Sequence, residues 1–328
     1  MNICVIGGSG FVGSRLIPEL LLMGKVSVFD KQTSPFFPEL TQIIDIRDKV
    51  QLEINLKGFD LVIHLAAEHK DDVYPASLYY DVNVTGTKNI LDAMVLNSIH
   101  QIIFFSSVAV FGLNKPNPDE NYPKDPFNHY GKSKLQAENV IIEWLKTDRQ
   151  GNAVIIRPTV IFGERNRGNV YTLLKQISSG KFMQIGKGDN KKSMAYVGNI
   201  VDFVRFIIGK VNKDCLIYNY IDKPDITINE LIKVVKNTMN IQIPQFKIPY
   251  FLGYTAGKIF DFVAFITGRK LSISSVRIKK FCAATQFDSS KMLVSGFVPP
   301  YKLIEGLERT MNFEFMQKRD DDVIFISE

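Results

Sequence analysis

A short apolar run, Asn2 to Ile6, breaks into Gly7-Gly8-Ser9-Gly10-Phe11-Val12-Gly13 and then continues directly into an amphipathic stretch that reaches Leu22. Strand, glycine turn and helix in that order open a dinucleotide-binding βαβ unit. Gly7 permits the tight turn, Gly10 lets a pyrophosphate approach the backbone, and Gly13 allows the helix to pack closely on the sheet. The first helical residues, Phe11 and Val12, offer unpaired N–H groups to phosphate. A glycine trio alone is weak evidence, but here Asp30 follows a second apolar run, Lys25 to Phe29. A carboxylate at that point accepts hydrogen bonds from both ribose hydroxyls and repels a 2′-phosphate. The expected cofactor is therefore NAD rather than NADP, with the adjacent Lys31 pulling the other way.

The same alternation continues for about 160 residues. Leu61 to Leu65, Ile102 to Ser106 and Ala153 to Ile156 read as brief buried strands, while Asn83 to Asn97 and Tyr130 to Leu145 have helical periodicity. Repeated βαβ units predict an α/β fold, a Rossmann-type doubly wound parallel sheet with helices on both faces. After Arg157-Pro158 the loops lengthen and charges cluster, with helices expected over Thr227 to Asn240 and Leu303 to Phe313. Residues 1–160 are thus read as the NAD-binding domain, with a returning segment around 193–220. Residues 161–328 are read mainly as a smaller α/β substrate-binding lobe. The length of 328 residues fits this division, and the 45% hydrophobic and 23% charged composition is that of a globular chain with a sizeable core. Three scattered cysteines, Cys4, Cys215 and Cys282, have no metal-ligand spacing and favour a reducing compartment. Neither a signal peptide nor a spanning segment is evident, so a cytoplasmic location is expected.

Tyr130 and Lys134 stand four apart, on one face of the predicted helix. A tyrosine with a pKa of about 10 is a poor base at neutral pH. A neighbouring ammonium and the positive nicotinamide ring both favour its phenolate. Ser107, at the end of the preceding strand, can share a substrate hydroxyl with Tyr130 and align it for hydride transfer.

These residues belong to an ordered series: Asp45-Ile46-Arg47-Asp48, His64-Leu65-Ala66-Ala67, Asn83-Val84-Thr85-Gly86-Thr87, Ser106-Ser107 and Tyr130-Gly131-Lys132-Ser133-Lys134. The series resembles the extended short-chain dehydrogenase/reductases of the sugar epimerase/dehydratase type. The resemblance implies that Asp45 and Ile46 contact adenine, that Leu65, Ala66, Ala67 and Pro158 line the dinucleotide, and that Asn83 supports the active site. It also implies a homodimer formed through helices beside the sheet. Through SLYYDVNVTGT, IIRPTVIFGERNRGNVYTLLKQI and KKSMAYVGNIV the chain resembles the branch of this family that acts on N-acetylated amino sugars carried on undecaprenyl diphosphate in O-antigen assembly. That similarity implies a 4-epimerase working through a 4-keto sugar.

Two departures bear on reaction and substrate. Val108-Ala109 stands where related dehydratases carry an Asp-Glu pair, so elimination of water lacks its acid and base. Val160 stands where nucleotide-sugar relatives commonly place an asparagine that holds the diphosphate. Arg165, Asn166, Arg167 and Lys192 are alternative phosphate donors or simply solvated residues, and His69 faces either the sugar or solvent. From Lys247 to Lys291 eight Lys/Arg oppose two Asp, giving +6, equal to the net charge of the whole chain. The aromatic run Tyr250 to Ile266, followed by Arg269, Lys270, Arg277, Lys279 and Lys280, reads either as an interfacial helix beside an anionic membrane or as a core helix with a basic loop. The first alternative would place the enzyme at the cytoplasmic face of the inner membrane. No nucleic-acid motif accompanies the charge. Other readings are a UDP-sugar 4-epimerase, a 4-ketoreductase, which Asp30 disfavours, and an NAD-binding sensor without turnover, against which Ser107, Tyr130 and Lys134 argue.

Overall fold

The computed structural model describes residues 1–70, 73–180, 182–210, 215–244, 246–267, 274–318 and 323–326. Its first half runs β1 (Asn2–Ile6), α1 (Phe11–Leu21), β2 (Lys25–Asp30), β3 (Thr41–Ile43), α2 (Lys49–Asn55), β4 (Leu61–His64), α3 (Ser77–Tyr80), α4 (Gly86–Leu96), β5 (Gln101–Phe105), α5 (His129–Thr147) and β6 (Asn152–Pro158). There follow β7 (Val160–Phe162), α6 (Asn169–Ser178), β8 (Gln184–Ile185), β9 (Lys191–Tyr196), α7 (Val197–Ile208), β10 (Cys215–Tyr220), β11 (Asp222–Thr227) and α8 (Ile228–Met239). The chain continues through β12 (Lys247–Ile248), α9 (Tyr250–Thr267), α10 (Ser275–Cys282), α11 (Ser290–Val294) and α12 (Leu303–Met311).

Seven strands form one parallel sheet in the order β10-β6-β5-β4-β1-β2-β3. Alternation along each central strand feeds two cores. Ile3, Val5, Leu61, Ile63, Ile103, Phe105, Val154 and Ile156 meet α1 and α7 on one face, whereas Cys4, Ile6, Val62, Ile102, Phe104, Ala153 and Ile155 meet α2, α4 and α5 on the other. A sheet buried on both sides explains why these strands read as continuous apolar runs. The strand order reverses between β1 and β4, which opens a crevice at their carboxyl ends.

The second half returns β10 to the edge of this sheet beside β6 and packs α7 against α1. Its own strands form two small sheets: β7 and β11 flank β9, and β12 pairs with β8. α8 starts on a reciprocal cap between Thr227 and Glu230, which defines its first turn.

The helix expected from Asn83 begins at Gly86, because Asp81–Thr85 forms a wider π turn. Asn83 in that turn uses its side chain on neighbouring segments. The aromatic segment forms α9, in which only Gly253 and Gly257 are buried. These glycines make its contact with the lobe: a Cβ at Gly253 would lie 2.6 Å from Ile185 Cγ2, and one at Gly257 2.8 Å from Ile278 Cδ1. Phe251, Phe262, Phe265 and Ile266 are exposed by 66, 63, 86 and 65%, so the alternative of a core helix does not describe this element. Arg269 and Lys270 lie outside the described residues, as do the side chains of Arg277 and Lys280. Among the described residues, no helix is long and apolar enough to cross a membrane.

Candidate active site

The glycine turn fits a dinucleotide on steric grounds. Gly7 has φ +81°, and a Cβ there would stand 2.3 Å from Ala66 N; at Gly13 one would stand 2.2 Å from Gly8 O. At Gly10 the nearest atom would be Gly7 O at 3.6 Å. Two glycines are therefore demanded by packing, while Gly10 leaves space over the backbone. Gly10 also caps α1 without a side-chain hydrogen bond, so the N–H groups of Phe11 and Val12 begin a helix whose positive end faces the crevice.

Asp30, at the end of β2, accepts from Ser9 N at 3.0 Å and Gln32 N at 3.2 Å. Burial pushes its carboxyl up from the ordinary value, and these backbone donors pull against that shift. Asp45 is held by the Arg47 guanidinium at 2.6 Å, which lowers its pKa, and Ile46 beside it is buried. Leu65 N and Ala66 N both donate to Ile6 O, at 2.8 and 3.0 Å, joining the loop of Leu65, Ala66 and Ala67 to the glycine turn. Asn83 donates to Glu68 O and to Ser133 Oγ, both at 2.9 Å, and so ties that loop to α5. Pro158 ends β6 beside Tyr220.

α5 begins where Asn128 Oδ1 accepts from Gly131 N at 2.9 Å. Its first turn brings Tyr130 into a side-chain hydrogen bond with Ser107, and Ser107 Oγ also accepts from Ala109 N at 3.1 Å. Lys134, 2% exposed, donates from Nζ to Phe105 O at 2.7 Å and lies 4.8 Å from the centre of the Phe104 ring. Exclusion of water pushes the Tyr130 phenol up, opposed by the Ser107 hydrogen bond. The same effect pulls Lys134 down to about 7, opposed by Glu138. In the protein alone, then, Lys134 does not bring the phenol down as its helical spacing suggests: its ammonium donates to Phe105 O, and burial and the Ser107 hydrogen bond set the phenol's shift.

Sequence reasoning missed the support beneath this trio. Arg157 and Glu138 are both buried and form an ion pair with contacts of 2.6 and 2.8 Å. Ser106 Oγ donates to Glu138, and Arg157 Nη1 to Glu120 O at 3.1 Å. The available signal was Glu138, one turn beyond Lys134 on the same face.

The residues expected near phosphate are not gathered in one place. Arg165 lies between Phe36 and Phe313, 5.2 Å from each ring centre, and donates to Val323 O at 3.1 Å. Arg167 pairs with buried Glu314 at 3.0 Å and stacks on Tyr171. Asn166 donates to Ile161 O at 3.1 Å. These three hold the segment around Phe325, whose N–H and C=O bond to Arg165 O and Arg167 N at 2.8 Å each. Lys192 instead reaches Ala283 O at 2.7 Å, and exclusion of water brings its pKa down to about 8. His69 is exposed, with Nδ1 3.4 Å from Ala67 O. Val160 is 37% exposed on β7. Among the described residues no cluster could hold a metal ion.

A sequence profile of the 3-beta hydroxysteroid dehydrogenase/isomerase family matches residues 4–208. The chain is 56% identical over its whole length to N-acetyl-alpha-D-glucosaminyl-diphospho-ditrans,octacis-undecaprenol 4-epimerase of Escherichia coli O157:H7, covering 99% of that protein. It is 26% identical to UDP-glucose 4-epimerase of Vibrio cholerae, with 94% of each chain covered. In fold it is similar to UDP-glucuronic acid 4-epimerase from Bacillus cereus in complex with NAD, at a TM-score of 0.75 and 20% identity, covering 95% of this chain and 98% of the other. The profile and the full-length identity together assign the chain to the 3-beta hydroxysteroid dehydrogenase/isomerase family, among the extended short-chain dehydrogenase/reductases of NAD-dependent sugar epimerase type.

Proposed function

We propose that this protein is an NAD-dependent 4-epimerase interconverting N-acetylglucosaminyl- and N-acetylgalactosaminyl-diphospho-undecaprenol, an isomerase of O-antigen and lipopolysaccharide biosynthesis. The observation that carries the reading is the 56% identity, over the whole chain and 99% of the relative, to the E. coli enzyme named for that substrate.

In this reading Gly7, Gly10, Gly13 and the N–H groups of Phe11 and Val12 hold the pyrophosphate. Asp30 takes the adenosine ribose, while Asp45 and Ile46 bound the adenine. Leu65, Ala66, Ala67 and Pro158 line the remainder. NAD, when bound, supplies a hydride-accepting ring and the positive charge that favours the Tyr130 phenolate. Tyr130 takes the proton from the sugar 4-hydroxyl, Ser107 holds that hydroxyl in line, and Lys134 steadies the site's charge from beneath. The resulting 4-keto sugar turns about its diphosphate linkage, presents its other face and regains hydrogen at C4 with inverted configuration. Tyr130 then returns its proton. Lys192 is the cation we place at the substrate diphosphate, with His69 near the sugar. Arg165 and Arg167 stand further along the lobe, where their contacts with Glu314 leave them a supporting role.

Residues 1–160 with the returning segment around 193–220 would form the NAD-binding domain and the rest of the chain mainly the substrate lobe. We further infer a homodimer through helices beside the sheet, where Val95 and Leu96 of α4 are exposed. The exposed face of α9, next to a basic segment, supports peripheral attachment to the cytoplasmic face of the inner membrane.

Purified protein offered N-acetylglucosamine on undecaprenyl diphosphate and, separately, on uridine diphosphate should convert the first, with N-acetylgalactosamine recovered after mild acid release. Conversion of the uridine compound alone would replace this reading with a UDP-sugar 4-epimerase.

A further inference from the structure

The loop after β8, the first residue of α9 and the end of α10 line an open cavity of about 430 Å³. Its walls combine two chemistries. Ile185, Tyr250 and Ala283 make part of them apolar, and Lys187 and Lys279 bring two cations. Gly186 and Gly188, with φ of +81° and +80°, curve the backbone around the space, and a Cβ at Gly188 would stand 2.0 Å from Gln184 Nε2. Two of its polar side chains are partly engaged elsewhere. Asn190 Nδ2 donates to Phe281 O and Ala283 O at 2.8 and 3.3 Å, and the one acid, Asp189, accepts from Asn229 at 2.9 Å.

Two connections give the cavity a direction. On one side, Ala283 O accepts from Lys192, the cation placed above at the substrate diphosphate. On the other side, Tyr250 stacks on Tyr254 at 5.8 Å and begins α9, whose exposed aromatic side chains continue away from the cavity. The order is therefore the cation placed at the diphosphate, a mixed apolar and cationic pocket, and an apolar helix open to its surroundings. A ligand complementary to that order is anionic at one end and hydrocarbon thereafter.

We propose that this cavity receives the first isoprene units of a polyprenyl diphosphate, with Lys187 and Lys279 beside the phosphate nearest the lipid, and that α9 leads the chain onward to the bilayer. The inference rests on the lipid-linked reading of the substrate and adds the place where the lipid leaves the sugar site.

The test uses the full-length protein loaded with NAD and N-acetylglucosamine diphosphate on a short prenyl chain that carries a photoreactive diazirine in its first unit. Turnover of this compound by the unmodified protein is measured first; without it, the lipid-linked reading and this proposal fall together. With turnover established, irradiation should label residues 185–190, 250–254 or 279–283. Farnesyl diphosphate should suppress that labelling, and uridine diphosphate should not. Ala283→Trp, which fills the cavity, should raise KM for the prenyl compound about tenfold or more while kcat changes little. Labelling confined to other segments, or protection by uridine diphosphate alone, overturns the cavity assignment while leaving the epimerase reading intact. The labelling requires no variant, so a poorly folding Ala283→Trp does not remove the test.

Discussion

Tyr130 and Lys134 are drawn in opposite directions by the same physical cause. Burial raises the phenol and brings the lysine down to about 7. Tyr130→Phe removes only the ionisable oxygen, so turnover should fall at least about 100-fold while NAD still binds; near-normal turnover would remove Tyr130 from the role of base. For Lys134 the folded pKa lies below the ordinary 10.5, so between about 7 and 10.5 the unfolded chain binds more protons. Stability on this group's account therefore rises with pH across that window. In cofactor-free protein, any advantage in melting temperature of Lys134→Met over the unmodified chain should shrink between pH 7 and 10. An unchanged or widening gap would mean that Lys134 is not penalised by burial. Asp30 carries a separate expectation: dinucleotide released on denaturation should be NAD, and recovery of mainly NADP would show that Lys31 outweighs the carboxylate.

At the level of elements, the buried pair of Arg157 on β6 and Glu138 on α5 joins the end of the sheet to the helix that presents Tyr130. Glu138→Gln leaves the Arg157 guanidinium buried without its counter-ion and should cost about 3–5 kcal/mol, read as a lowered unfolding midpoint in denaturant. A loss under 1 kcal/mol would mean that water or Glu120 compensates. In α9, Phe262 and Phe265 are exposed by 63 and 86%, so Phe262→Ser with Phe265→Ser should leave folding intact. The double change should weaken sedimentation with anionic vesicles and slow turnover of a long-chain lipid substrate more than a short-chain one. Equal loss with both substrates would make α9 merely structural. The central strands and long helices were legible because their burial is local and periodic: β1 has the bounds expected, and α5 extends past the expected span by one residue at its start and two at its end. β7 was not, being three residues long, and neither were the six-residue β9 and β11, which carry charges such as Lys191, Lys192 and Asp225 that alternation rules read as loop.

Across the whole molecule, legibility follows sequence separation. Gly7, Gly10, Gly13 and Asp30 are recognisable because each stands at a strand end or in the turn that follows it, and the fold itself brings those ends together. The contact of Arg165 N with Glu314 spans 149 positions and has no local signature. The place of Lys192 beside Ala283 likewise required the lobe to be folded. The lobe also supplies Val160, partly exposed on β7, and the outward aromatic face of α9. In the proposed reaction, hydrogen leaves C4 and returns to the opposite face of the same sugar without entering solvent. The most direct measurement places deuterium at C4 of N-acetylglucosamine on undecaprenyl diphosphate and follows the N-acetylgalactosamine product by mass spectrometry. The account predicts that the label stays at C4 in ordinary water. Loss of the label to solvent, or unlabelled substrate acquiring deuterium at C4 from heavy water, would contradict it.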